Sequence, residues 1–103
     1  MNKYGNKPTT VDGRRFASRR EAERYVVLKQ LQRSGEIVSL ECQPRYRIEV
    51  CGEHICDYVA DFRYGKQGDT TFTVEDVKGV KTDVYRIKKK LMFAVHGIEV
   101  REV

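Results

Sequence analysis

Residues 72–103, FTVEDVKGVKTDVYRIKKKLMFAVHGIEVREV, decide the fold. The run TTFTVEDVKG reads as an extended segment that ends at Gly79, and Thr82 is a natural N-cap for a helix reaching about Val95. Val84, Ile87, Leu91 and Ala94 recur at helical spacing and are expected to form its inner stripe. Gly97 ends the helix, and IEVREV reads as a final strand. Strand, helix, strand is a crossover back onto one sheet, and such a crossover is expected to be right-handed.

Working outward, Lys66-Gln67-Gly68-Asp69 is the turn before this unit, and HICDYVADFRY reads as the strand entering it. QPRYRIEV alternates, with Tyr46, Ile48 and Val50 on one face, and Gly52-Glu53 is expected at the turn between these two strands. Ile37 to Leu40 reads as a connector from an earlier helix. That helix has Ser18 as N-cap, Glu21 three residues on as in a capping box, Gly35 after its last turn, and Tyr25, Leu28 and Leu31 on its apolar stripe. Asp12-Gly13 is the pair of a tight hairpin turn ahead of it. The order helix, three strands, helix, strand predicts an α/β sandwich with a mixed sheet, in one domain over residues 1–103 with a basic arm or hairpin at about 1–17.

A chain of 103 residues has room for one core. No apolar run approaches the ~20 residues of a membrane span, and MNKYGNKPTT lacks the apolar segment of a secretory signal, so a cytoplasmic protein without membrane contact is expected. Cys42, Cys51 and Cys56 are too few for a disulfide framework. The net charge of +5 is unevenly placed. Lys3, Lys7, Arg14, Arg15, Arg19 and Arg20 face only Asp12, and Lys81, Arg86, Lys88, Lys89 and Lys90 face only Asp83. Two basic clusters around an acidic remainder point to a polyanion with an acidic site between them.

The acidic site is legible in VEDVKG. Period-2 alternation puts Phe72, Val74, Asp76 and Lys78 on one face, so an Asp and a Lys continue an apolar face where unpaired charge is costly. Asp61 lies near the end of the preceding strand, and an antiparallel pairing brings YVADF beside EDVK. Glu21 shares the inward stripe of the first helix with Tyr25 and Leu28, whereas Glu23 groups with Val27 and Gln30. Carboxylates at sheet level with a lysine two residues from one of them suit a hard cation beside a phosphate.

The order Glu21, Asp61, Asp76-Val77-Lys78 on these elements resembles the PD-(D/E)XK nuclease superfamily. More closely, FASRREAERY, GEIVSLECQPRYRI, YVADFRY, VEDVKGVKT and the KKKL helix resemble a family of small phage proteins catalogued as a domain of unknown function. That family is related to endonuclease I-type Holliday junction resolvases and transposon-end nucleases. The resemblance implies a restriction endonuclease-like core. It also implies catalytic roles for Glu21, Asp61, Asp76 and Lys78, and Mg²⁺, with Mn²⁺ as a substitute, held by Asp61, Asp76, Glu21 and the backbone carbonyl of Val77. Lys78 would position or activate the attacking water. Ala60 stands where the superfamily's eponymous proline would be.

The implied activity is metal-dependent endonucleolytic hydrolysis of branched or structured DNA in phage recombination or DNA processing, in the host cytoplasm. Arg14, Arg15, Arg19, Arg20, Lys81, Arg86, Lys88 and Lys89 are the expected phosphate contacts. A junction has two scissile strands, so a homodimer is expected of a junction enzyme. The alternative is a DNA-binding recombination accessory that does not cut, or cuts only with a phage recombination or replication partner. Gln43 is expected beside the site. Cys51, His54 and Cys56 match no usual zinc spacing, and the two cysteines read as paired buried thiols; Glu75 faces away from the motif and reads as a surface charge or a support behind the site, Asp57 as a surface or turn charge, and Tyr85 is open to packing or stacking.

Overall fold

The computed structural model describes residues 7–103, so Lys3 and the first part of the basic arm lie outside the described residues. The fold is mixed α/β, with two helices and a mixed four-stranded sheet. Strands β1 (Thr9–Val11) and β2 (Arg14–Phe16) form the predicted hairpin, and its turn residues Asp12 and Gly13 both adopt the positive φ that an Asp-Gly pair tolerates. Helix α1 (Arg19–Arg33) starts where Ser18 Oγ accepts the Glu21 N–H at 3.1 Å.

The segment from Ile37 is a strand, not a connector. Strand β3 (Ile37–Cys42) pairs antiparallel with β6 (Phe62–Lys66), bulging between Val38 and Glu41, where Ser39 has φ 59°. The bulge breaks the strict alternation by which a strand is read from sequence. Likewise HICDYVADFRY is two strands. β5 (Glu53–Val59) pairs with β4 (Arg45–Val50) as a separate hairpin, its turn at Cys51-Gly52 one residue earlier than expected, whereas β6 joins the main sheet. The break falls at Ala60-Asp61, beside the candidate site residue Asp61. β7 (Phe72–Asp76) lies between β6, antiparallel, and β8 (Arg101–Glu102), parallel, and helix α2 (Asp83–His96) makes the crossover from β7 to β8. β7 and β8 are both shorter than the sequence suggests.

Each face of the sheet has its own core. Phe16, Ala22, Tyr25, Leu28, Ile37, Phe62 and Tyr64 pack together on the α1 side. Ile48, Tyr58, Ala60, Val74, Tyr85, Met92 and Val100 pack on the α2 side, where the β4–β5 hairpin completes the layer. The expected inner stripe of α2 is corrected here. Val84 and Ile87 are 61% and 59% exposed, whereas Tyr85 and Met92 are buried. Polar anchors set the rotation of this helix: the Tyr85 hydroxyl donates to Glu102 at 2.8 Å, Lys88 Nζ donates to the Asp57 carbonyl at 2.9 Å, and Lys89 pairs with Glu102 at 3.3 Å.

One polar group ties α1 to the sheet. Glu75 is fully buried, which excludes the surface position and leaves the role of a support behind the site. Arg24 grips its carboxylate in a two-pronged bond, Nε to Oε1 at 2.9 Å and Nη2 to Oε2 at 2.7 Å, and the Tyr64 hydroxyl donates to the same Oε2. These bonds meet the requirement that a buried charge be paired and hydrogen-bonded. Burial, reinforced by Glu75, pushes the Tyr64 phenol up to about 12. Replacing Arg24 with Ala strands this charge, and a loss of roughly 3 kcal/mol in urea unfolding is expected. The triple change Arg24→Met, Tyr64→Phe, Glu75→Leu, which removes all three polar partners together, is expected to recover most of that loss.

Candidate active site

The interruption between β5 and β6 at Ala60-Asp61 places Asp61 against the end of β7. The Asp61 N–H donates to the Glu75 carbonyl at 3.1 Å and to Asp76 Oδ1 at 3.0 Å, and Asp61 Oδ2 accepts the Val77 N–H at 2.7 Å. The two aspartates are thus fixed by each other's backbone neighbourhood, with one oxygen of each committed. The Gln43 N–H donates to the Asp61 carbonyl at 2.9 Å, and Gln43 holds a left-handed φ of 54° just before Pro44. Gln43 is therefore beside the site through its backbone.

Asp76 is 1% exposed, and its Oδ2 has no hydrogen-bond partner. Lys78 Nζ stands 3.9 Å from that oxygen and 4.4 Å from the centre of the Tyr85 ring, whose face supports the ammonium group. Glu21 is buried on α1, as its place on the inward stripe predicts, while Glu23 is exposed. A cavity of about 280 Å³ is lined by Glu21, Asp61, Val77, Lys78 and the caps of both helices, Ser18 and Thr82. Both helices therefore aim their N-terminal ends, with their partial positive charge, at this cavity.

The electrostatics follow from crowding acids in a poorly solvated corner. Desolvation, then the charges of Asp61 and Asp76, raise the Glu21 carboxyl to about 7. Desolvation raises Asp76 to about 6 against the pull of Lys78. Burial also pushes Asp61 up, opposed by the Val77 N–H. An orphaned carboxylate oxygen and three mutually repelling acids fit a hard divalent cation, which takes oxygen ligands. Among the described residues, no three His, Cys, Asp or Glu side chains form a ready-made cage.

The basic residues divide. Arg14, Arg15 and Arg19 are exposed, and Arg20 borders the cavity, with Nη1 and Nη2 each 3.4 Å from the carbonyls of Lys78 and Val103. On α2 several cations already have partners. Lys81 and Lys89 hold Glu102, Lys88 is turned to β5, and Arg86 stands 3.6 Å from Asp83. With Lys81 and the Tyr85 hydroxyl as its main partners, Glu102 is held down to about 2. Tyr85 takes the packing role, beneath Lys78. Away from the site, Asp57 pairs with Arg45 and His54 near the surface. Cys51 is exposed and Cys56 only partly covered, which corrects the expectation of buried thiols, because the hairpin turn carries Cys51 into solvent. Arg24, Tyr64 and Glu102 belong to no motif that marks them in the sequence. Arg24 has one usable signal, its i+3 spacing from Glu21, which puts both on neighbouring positions of one helix face.

These shifts set the pH response of the metal-free protein. Glu21 and Asp76 have folded values above their ordinary ones, so the folded state binds extra protons, and their contribution to stability is lost as pH rises through about 6 and about 7. Stability in EDTA, followed by thermal melting, is expected to fall between pH 5 and pH 8 by on the order of a few kcal/mol. The double variant Glu21→Gln, Asp76→Asn should flatten that limb. An unchanged slope would mean that these acids are not crowded together.

A search of curated proteins and a search of solved structures each returned no match. A family model does match, over residues 1–103, and its description is "Protein of unknown function (DUF1064)". With the whole chain matched, the protein belongs to the DUF1064 family.

Proposed function

We propose that the protein is a metal-dependent endodeoxyribonuclease of the PD-(D/E)XK type that hydrolyses phosphodiester bonds in branched or structured DNA. The observation that carries this reading is a cavity lined by Glu21, Asp61 and Lys78, with Asp76 bonded to the Asp61 N–H and keeping a buried oxygen without a hydrogen-bond partner. The order of these residues along the chain supports the same superfamily reading.

Asp61, Asp76, Glu21 and the Val77 carbonyl would hold Mg²⁺ or Mn²⁺. When bound, such a cation supplies positive charge against the phosphate and makes a coordinated water more acidic. The chain's own residues do the rest. Asp61 and Asp76 each keep one oxygen occupied by backbone N–H groups, which aims the other oxygen without a loss of side-chain freedom at the moment of binding. Lys78, propped on Tyr85, presents a compact charge to the non-bridging phosphate oxygens and the attacking water. The two helix N-termini bordering the cavity favour the negative charge of the phosphate. Arg20 at its rim and the exposed Arg14, Arg15 and Arg19 would steer the DNA backbone, giving a steep salt dependence. These contacts are all to the phosphate backbone, which favours recognition of shape.

The test is cleavage of a four-way junction, a flap, a linear duplex, a single strand and a supercoiled plasmid in Mg²⁺, Mn²⁺ or EDTA. Metal-dependent cutting of the junction or flap is expected, with Asp76→Asn and Lys78→Ala each reducing the rate by roughly 10²–10³-fold. Mg²⁺ should also raise the melting temperature at pH 8 in the wild type and not in Asp76→Asn, an effect independent of turnover. Salt-sensitive DNA binding with no metal-dependent cutting and no metal-dependent melting shift would replace this reading with that of a DNA-binding accessory.

A further inference from the structure

Beyond the acidic cavity, a second and larger cavity of about 540 Å³ opens between α2 and the β8 region. Its volume is that of a small-ligand site. Tyr85, Val100 and Phe93 give it an apolar wall. Phe93 is 62% exposed, unusual for the largest apolar side chain of that helix face. Its rim carries Arg86 and Lys90, while Lys81 and Lys89 stand at its side bound to Glu102. Four cations against two carboxylates, Glu99 and Glu102, leave the wall positive. Lys90 makes no ion pair among the described residues.

The position of this cavity matters as much as its lining. Tyr85 forms part of its wall, and the same ring lies 4.4 Å from Lys78 Nζ. One aromatic ring therefore separates the cavity from the lysine of the acidic site. Val84 and Ile87 lie on another side of α2 and take no part.

We propose that this cavity receives an unpaired nucleotide of branched DNA adjacent to the scissile phosphate, its base stacked on Phe93 and its phosphate met by Arg86 and Lys90. The inference rests on the nuclease reading of the neighbouring site and names the feature of the substrate that is recognised. Its chemistry is that of single-strand binding generally: an aromatic face for a base, with cations tracking the backbone. A nucleotide at a branch or bulge is already unstacked, so placing it in the cavity costs less than extruding one from a continuous duplex. Charge complementarity selects this occupant over a neutral apolar peptide, which would leave Arg86 and Lys90 facing carbon.

The experiment measures binding in EDTA, where nothing is cut. The probes are two duplexes of one sequence, one fully paired and one carrying a single bulged 2-aminopurine nucleotide. The bulged duplex is expected to bind roughly 10-fold more tightly, the scale of one base–aromatic stack, with its fluorescence quenched on binding. Phe93→Ala should abolish both the preference and the quenching while leaving affinity for the paired duplex unchanged, and Phe93→Tyr should restore both. Equal affinity for the two duplexes, or a preference that survives Phe93→Ala, would overturn the proposal. If either result came with metal-dependent cutting intact, the nuclease reading would stand alone. Failure to bind either duplex, in EDTA and again in Ca²⁺, would overturn the proposal, and the nuclease reading is then decided by the cleavage panel alone. Sedimentation of Phe93→Ala is the final control: loss of a dimer with nucleotide preference unchanged would assign this surface to a second copy and overturn the proposal.

Discussion

Two carboxylates side by side in one strand, both removed from water, are the constraint around which this molecule is arranged. Glu75 and Asp76 point to opposite faces of β7, so each needs a different solution. Glu75 meets Arg24 and Tyr64 and becomes a structural anchor for α1. Asp76 receives one N–H from Asp61 and keeps its second oxygen unpartnered. The satisfied acid holds the scaffold still, and the unsatisfied one stores the cost that a bound cation would relieve.

The anchor also governs the geometry of the site. Arg24 is one turn along α1 from Glu21, and Glu75 precedes Asp76 directly, so the Arg24–Glu75 bond fixes the helix against the strand within a few ångströms of the acids. The opposite wall is held by Glu102, which collects Tyr85, Lys81 and Lys89 and thereby positions the ring beneath Lys78. Acids and lysine thus sit between two polar clasps, one per face of the sheet. Neither clasp uses up the charges that face the cavity.

Much of this was readable from local chemistry. The Asp12-Gly13 turn, the Ser18 and Thr82 caps, the inward placement of Glu21 and the approach of Asp61-Phe62 to Glu75-Asp76 all rest on rules that act over a few residues, and the structure follows them. The failures share a cause. Ser39 interrupts the alternation of β3 with a bulge, so a sheet strand looks like a connector. Ala60-Asp61 separates β5 from β6 without a glycine or proline to announce the break. In α2 the aliphatic residues Val84 and Ile87 have the right spacing for a core, yet Tyr85, Lys88 and Lys89 have distant polar partners that turn the helix the other way. A helical period reports that a stripe exists and not which side of the molecule receives it.

Local sequence was therefore enough for the candidate site residues and their order: an acid on an inward helix stripe, an acid near a strand end, and an acid and a lysine alternating onto an apolar face. Those facts follow from backbone periodicity, which each segment carries within itself. Only the tertiary structure decided that Asp61 and Asp76 share an N–H, that Glu75 is an anchor and not a surface charge, and that Tyr85 stands between Lys78 and a second cavity. Each of these joins residues that are distant in the chain or on opposite faces of one strand, and the energy that selects them exists only once the sheet has closed and water has left the corner they occupy.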